Sequence, residues 1–291
     1  MTRSILAVGD SYFPAQAMRA GLDRLGDVGY RTVDPEVRLV ACLRGGPVNI
    51  DLAAAAELGV AVVNTPGKNA ESVADLTSTF IQLLLRGVGP ATTWLSQLAV
   101  SGVRHLDSTF VGGQWVAREP RGLTLGLVGL GAVGRLVAAQ ARGFGMTVLA
   151  HDPYVARGSG DLAELVSLEE LVRRSDVVSI HAKATPATYH LVDRSFIRSL
   201  RPGALLVNTA RQGLVDEDAL VEGLLAGHLA GAALDVCEPD RRWPELCLMP
   251  NVILTPHLGG ATVQTQQRSL AMAVADIRRF LAGEEPEHRM V

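Results

Sequence analysis

Residues 126–136 read GLVGLGAVGRL, with glycines at 129, 131 and 134 set between an apolar run, LTLGLV, and a helical pattern, AVGRLVAAQARGFG. The first run predicts a buried strand and the second a helix. A strand that passes into a helix through a few glycines is the unit from which parallel α/β sheets are built, so this stretch admits few folds.

The flanking sequence repeats the alternation. Upstream come SILAVGD, PAQAMRAGLDRL, VGYRTVD, VRLVACL, DLAAAAELG and VAVVNTP; downstream come MTVLAHDP, LEELVRRS, VVSIHA, DRSFIRSL, ALLVNTA, EDALVEGLLAGH, AGAALDV and NVILTPH. At 291 residues the chain has room for two domains at about 150 residues each. The expected division is residues 1–95 with 264–291 in one domain and 96–263 in a second, with the long final helix packing back on the first. Hydrophobic residues at 48% and charged ones at 20% exclude a disordered chain, and a net charge of −3 supplies no basic face for nucleic acid. No apolar stretch reaches the ~18 residues of a membrane span, nor does the N-terminus carry a signal-peptide pattern, which predicts a cytoplasmic protein. Cys42, Cys237 and Cys247 form no C-x-x-C pair, so neither a disulfide frame nor a metal site is expected. Only Lys68 and Lys183 are lysines among 27 basic residues.

In the G-x-G-x-x-G spacing the glycines make a tight turn, let backbone approach a pyrophosphate, and let helix pack on strand. The helix N-terminus then offers free N–H groups and a positive dipole end. Simple turn chemistry would also account for three glycines. Asp152, eighteen residues past Gly134 at the end of the next strand, adds what that reading lacks. A carboxylate there accepts both ribose hydroxyls and repels a 2′-phosphate, which favours NAD over NADP. An Asx turn before Pro153 is the alternative use of the same acid.

Two further residues follow apolar strands and should lie at the carboxyl ends, where open α/β sheets bind ligands. Arg211, after ALLVNTA, can grip a carboxylate through two parallel N–H bonds, or else be satisfied by Asp216 or Glu217. His257, after NVILTP, suits proton transfer to or from a hydroxyl. His105, His151, His181, His190, His228 and His288 lack that setting, His181 least clearly. Between Arg211 and His257 lies DVCEPD, residues 235–240, rich in carboxylates that either serve the histidine or only solvate a loop.

Taken together, NTPGKNAESVADL, GLVGLGAVG, HDP, VNTARQGLVDEDAL, AALDV and NVILTPHLGG resemble, in order from about Val40 onward, the D-isomer-specific 2-hydroxyacid dehydrogenases. That family includes phosphoglycerate dehydrogenase and glyoxylate/hydroxypyruvate reductase. The resemblance implies a Rossmann-type NAD domain inserted into a smaller flavodoxin-like substrate domain. It implies a catalytic set of Arg211, His257 and an acid. A gap-free match puts Asp240 on the family's glutamate and Asp235 on the residue that contacts the nicotinamide amide; Glu238, before Pro239, is the alternative acid. The implied cofactor contacts are Gly129, Gly131, Ala132, Val133, Gly134, Asp152, Thr209, Asp235, Gly259 and Gly260. For substrate they are Arg44, Gly45 and Gly46, a loop offering N–H groups to a carboxylate, with Asn69, Val73 and Ala74 bordering the nicotinamide. Arg44 suggests an anionic substrate; a salt bridge to a neighbouring acid is its other reading.

The sequence departs from the family in three places. The acid is shortened if it is Asp240, Gln212 stands where a glycine is common, and too few residues separate VGYRTVD from PEVRLVACL for the usual further helix, strand and loop. The resemblance implies an NAD-dependent 2-hydroxyacid dehydrogenase acting on a small anionic 2-hydroxy or 2-keto acid. The departures leave open a dinucleotide-binding regulatory or interaction protein with little turnover. A homodimer is implied through the helix after Asn69 and the segment around Phe110 and Trp115, and no length remains for the extra regulatory domain of some phosphoglycerate dehydrogenases.

Overall fold

A computed structural model of the chain describes residues 4–8, 28–29, 37–46, 50–105, 116–156, 162–236 and 242–291. It resolves into two units, Met1–Ser72 with Gly260–Val291, and Val73–Gly259. Sequence alone put the boundaries at 95/96 and 263/264. The difference arises because the helix after Asn69 buries Ala74, Phe80, Ile81 and Leu85 in the core of the second unit.

In the first unit the strands β1 (Ser4–Val8), β2 (Val28–Gly29), β3 (Val37–Cys42) and β4 (Ala61–Val63) pair in the order β2-β1-β3-β4, all parallel. This is the start of the flavodoxin-like order. Between β3 and β4 the helix α1 (Leu52–Glu57) is capped by Asp51, whose carboxylate accepts from Ala54 N–H. Alternate residues of a strand share a face. Accordingly Leu39 and Ala41 of β3, with Leu43 beyond it, meet Ala61 and Val63, and the last helix (Val263–Ala282) covers them with Ala273 and Ile277. That helix therefore packs on the first unit as its sequence led one to expect. Arg289 bridges Val63 antiparallel, tying the last residues to the edge of β4.

The second unit begins within α2 (Ala70–Leu85) and continues through α3 (Val88–Val100). Its sheet comprises β5 (Thr124–Val128), β6 (Thr147–His151), β7 (Glu164–Leu165), β8 (Val177–Ile180), β9 (Ala204–Asn208), β10 (Leu229–Leu234) and β11 (Val252–Leu254). The order β11-β10-β9-β8-β5-β6-β7 is parallel throughout. Every residue of β8 and β9 is buried, as expected of strands covered on both faces. The chain runs outward from β5 to β7, then returns to β8 and runs to β11 on the other side. The crevice between β5 and β8 is thus the point where the winding reverses, and ligands bind there at the carboxyl ends.

Candidate active site

The glycine turn sits at that crevice, joining β5 to the helix α4 (Ala132–Gly143). Gly129 has φ +103°, and a Cβ on it would lie 2.6–2.8 Å from the backbone of His181 and Ala182. A Cβ on Gly134 would lie 2.3 Å from the carbonyl oxygen of Gly129. Both positions are closed to any other residue. Gly131 differs, since a Cβ there meets nothing within 4 Å and its φ is −76°. The fold does not require glycine at 131, and its backbone is open to the approach of a ligand. No acidic residue lies in the first turn of α4 itself.

Asp152, just beyond β6, accepts from Leu130 N–H at 2.8 Å and from Tyr154 N–H at 2.9 Å. The Asx turn is therefore real, and the same carboxylate also pins the glycine turn. A carboxylate offers about four lone-pair directions, so two hydrogen bonds leave capacity for ribose hydroxyls. These residues fit a dinucleotide: an open backbone at Gly131, closed packing on either side, free helix N–H groups and an acid beside them.

Further along the edge, β9, β10 and β11 are adjacent, and their carboxyl ends carry Arg211, Asp235 and His257. Asp235 N–H bonds Asn208 O and Thr255 N–H bonds Leu234 O, both at 3.0 Å, so the loops are laced together. Asn208, buried, donates to Arg211 O and accepts from Ala210 N–H, fixing the turn that presents Arg211. The Arg211 side chain is exposed, and its Nη1 donates to Ala210 O at 2.7 Å. Its suggested acid partners are used otherwise: Asp216 caps the helix Glu217–Leu225, and Glu217 accepts from Gln212.

His257 is exposed and has φ +63°, a left-handed conformation costing on the order of 1 kcal/mol for a residue with a Cβ. Asp235 holds it there. Buried at 1% exposure, its carboxylate accepts from Thr255 Oγ1 and Leu258 N–H at 2.6 Å and from Gly259 N–H at 2.7 Å. A Cβ on Gly259 would lie 2.9 Å from that carboxylate. Thr209, among the implied cofactor contacts, turns its hydroxyl inward to Thr77 at 2.8 Å. Val73 and Ala74 are buried at the start of α2. His181 lies against the glycine turn, bonded to Ser179 Oγ at 2.9 Å, and burial lowers its pKa to about 4. It is neutral near pH 7. Glu238 and Asp240, the two candidate acids, lie outside the described residues, as do Phe110 and Trp115.

In the first unit, the loop after β3 has its carbonyls turned inward. Leu43 O accepts from Lys68 Nζ and from Ser269 Oγ (3.2 Å), Arg44 O from Thr65 N–H (3.1 Å), and Gly45 O from Asn64 Nδ2 (2.9 Å). The peptide bonds are trans, so N–H groups oppose carbonyls. Those of Arg44, Gly45 and Gly46 consequently face away from this anchor, and none donates to a backbone carbonyl among the described residues. A Cβ on Gly46 meets nothing within 4 Å and one on Gly45 only Thr65 O at 3.9 Å, with neither φ positive. Arg44 is part-exposed and makes no ion pair with a described acid. Asn69 Nδ2 lies against Gly260, 3.2 Å from where a Cβ would stand. Lys68, Asn64, Thr65 and Ser269 were not singled out from sequence. The rarity of lysine in this chain was a signal for the first; the others carried none.

A glycine turn at the winding reversal of a parallel sheet, with an arginine and a histidine at the ends of β9 and β11, defines a dinucleotide-binding α/β protein. A sequence model for the NAD-binding domain of D-isomer specific 2-hydroxyacid dehydrogenases matches residues 95–259. D-3-phosphoglycerate dehydrogenase of Mycobacterium tuberculosis is 37% identical over 254 residues, 86% of this chain and 46% of that one. A crystal structure of a Thermus thermophilus protein superposes with a TM-score of 0.82 at 32% identity, covering 99% of this chain and 100% of that one. A glyoxylate reductase from Paecilomyes thermophila gives 0.81 at 26%, covering 99% and 98%. The chain belongs to the D-isomer specific 2-hydroxyacid dehydrogenase family and contains its NAD-binding domain. It spans about half the length of the curated relatives it matches. No helix among the described residues is long and apolar enough to cross a membrane.

Proposed function

We propose that the chain is an NAD-dependent dehydrogenase interconverting a small anionic 2-hydroxy acid and its 2-keto acid. The observation that carries this reading is the lacing of the Arg211, Asp235 and His257 loops along three adjacent strand ends of the sheet whose reversal point holds the glycine turn. Adjacent strands stand about 4.8 Å apart, so the two outer loops lie roughly two spacings apart, room for a three- or four-carbon acid with a hydrogen bond at either end.

Gly129–Gly134 and Asp152 would hold NAD(H), which when bound would supply or take up the hydride. Arg211 polarises the carbonyl and grips the carboxylate; protonated His257 gives its proton to the carbonyl oxygen in reduction and removes it in oxidation. Asp235 keeps the histidine in its left-handed turn. An acid at Asp240 or Glu238 stabilises the imidazolium, and comparing Asp240→Asn with Glu238→Gln identifies which. The N–H groups of residues 44–46 seat the substrate carboxylate. No observation favours a purely regulatory dinucleotide binder, which has no use for an arginine and a histidine so placed.

Two further parts of the reading concern setting. The chain works as a cytoplasmic homodimer, joined through α3, a predominantly apolar helix none of whose residues is buried.

The test follows NADH absorbance with a panel of 2-keto acids: glyoxylate, hydroxypyruvate, 2-oxoglutarate and phosphohydroxypyruvate. General acid catalysis is typically worth about 100-fold to 10,000-fold, so His257→Ala should lose that much kcat while NADH binding persists. Undiminished turnover in that variant would remove His257 from the mechanism. NADH binding without turnover of any acid would remove the dehydrogenase.

A further inference from the structure

The residues beneath the 43–46 loop are of an unexpected kind. Lys68 is buried at 7% exposure, and its ammonium is directed at Leu43 O. Burying a lysine is costly unless the charge is used or well bonded. This chain places arginine at almost every cationic position, with lysine at only two of 27 basic residues, yet it keeps one of those lysines here. The backbone around it is fixed from a distant part of the chain: Arg268 Nε donates to Lys68 O at 2.8 Å, and Arg268 Nη1 pairs with Glu71 at 2.6 Å. Ser269 Oγ, the second donor to Leu43 O, is held by Thr65 Oγ1 at 3.2 Å.

The consequence lies on the opposite side of the loop. Drawing the Leu43 carbonyl inward turns the Arg44 N–H outward, and the Thr65 and Asn64 bonds do the same for the next two peptides. The three N–H groups then face away from the buried donors.

We infer that Lys68 is a positioning residue for substrate: it locks the 43–46 loop with its N–H groups outward, as the seat of the substrate carboxylate. The inference rests on the dehydrogenase reading only in what the seat is for. Lys68 acts through the loop and touches no reacting atom, so its effect falls on acid binding and spares the chemical step.

The experiment measures oxalate binding by calorimetry in the presence of saturating NADH, for the wild type, Lys68→Met and Ser269→Ala, with NADH affinity measured separately. Lys68→Met should weaken oxalate about tenfold and leave NADH affinity within about twofold. Ser269→Ala, which removes one neutral bond and keeps the charge, should weaken oxalate by about two- to threefold; it also carries the test if Lys68→Met does not fold. Where a 2-keto acid is turned over, KM should rise in the same proportion with kcat little changed. Unchanged oxalate affinity in either variant, equal loss of NADH affinity, or no oxalate binding by the wild type would overturn the inference. Oxalate binding that depends on Lys68 in a protein that turns over no keto acid would sustain it while removing the dehydrogenase reading.

Discussion

The three glycines of the turn are alike in sequence and unlike in space. Alanine at 134 would drive a Cβ to 2.3 Å from Gly129 O, whereas alanine at 131 enters open space. Gly134→Ala should therefore lower the melting temperature and abolish NADH binding together. Gly131→Ala should keep the wild-type melting temperature and lose NADH affinity about tenfold or more; calorimetry beside thermal denaturation separates the two, and equal behaviour would contradict the cradle. Asp235 illustrates the opposite limit of sequence reading. Its place after β10 was visible, but the three donors it serves lie 20 to 24 residues later. Asp235→Asn puts an amide N–H against a loop N–H, and a buried bond to a charged acceptor is worth about 1.5–3 kcal/mol. Expected are a drop in stability of that order, read from denaturant midpoints, and a tenfold or larger loss of kcat with NADH affinity retained. An unaltered kcat would mean that His257 needs no such support.

Among the elements, β5, β6, β9 and the last helix were legible because their signals are local. Apolar runs of strand length, glycines at a fixed offset and a long amphipathic repeat all lie within a few turns of chain. What α2 packs against was not legible. Its apolar face suits either unit, and only contact with Leu125, Leu127 and Val137 assigns it to the second. The helix α3 is the converse, a mostly apolar sequence without a buried residue, with Leu95 at 45% exposure. For the proposed homodimer, Leu95→Asp should shift sedimentation toward monomer; an unchanged sedimentation coefficient would remove α3 from the proposed contact.

Over the whole molecule, His181 links folding to pH. Its pKa, lowered by burial from the ordinary histidine value of 6.5 to about 4 when folded, makes the unfolded chain the better proton acceptor between those values. Stability should thus be fully present above about pH 6.5 and decline as pH falls toward 4, by at most roughly 3 kcal/mol at 1.36 kcal/mol per unit. His181→Asn, unable to titrate, should flatten the denaturation midpoint across that window; an unchanged slope would assign the acid sensitivity to other groups. The amino-acid sequence by itself determined the α/β class, the glycine turn and the positions of Arg211 and His257 at strand ends, since each depends on periodicity or on the residue types that a short turn permits. Only the tertiary structure decided which way the 43–46 peptides face, what holds His257 in a left-handed turn, and which unit owns α2. Those outcomes depend on partners such as Ser269, 226 residues from Leu43, that are brought near by strand order and helix packing. No local pattern encodes such a pairing, because the energy that fixes it is gained only once the sheets have formed.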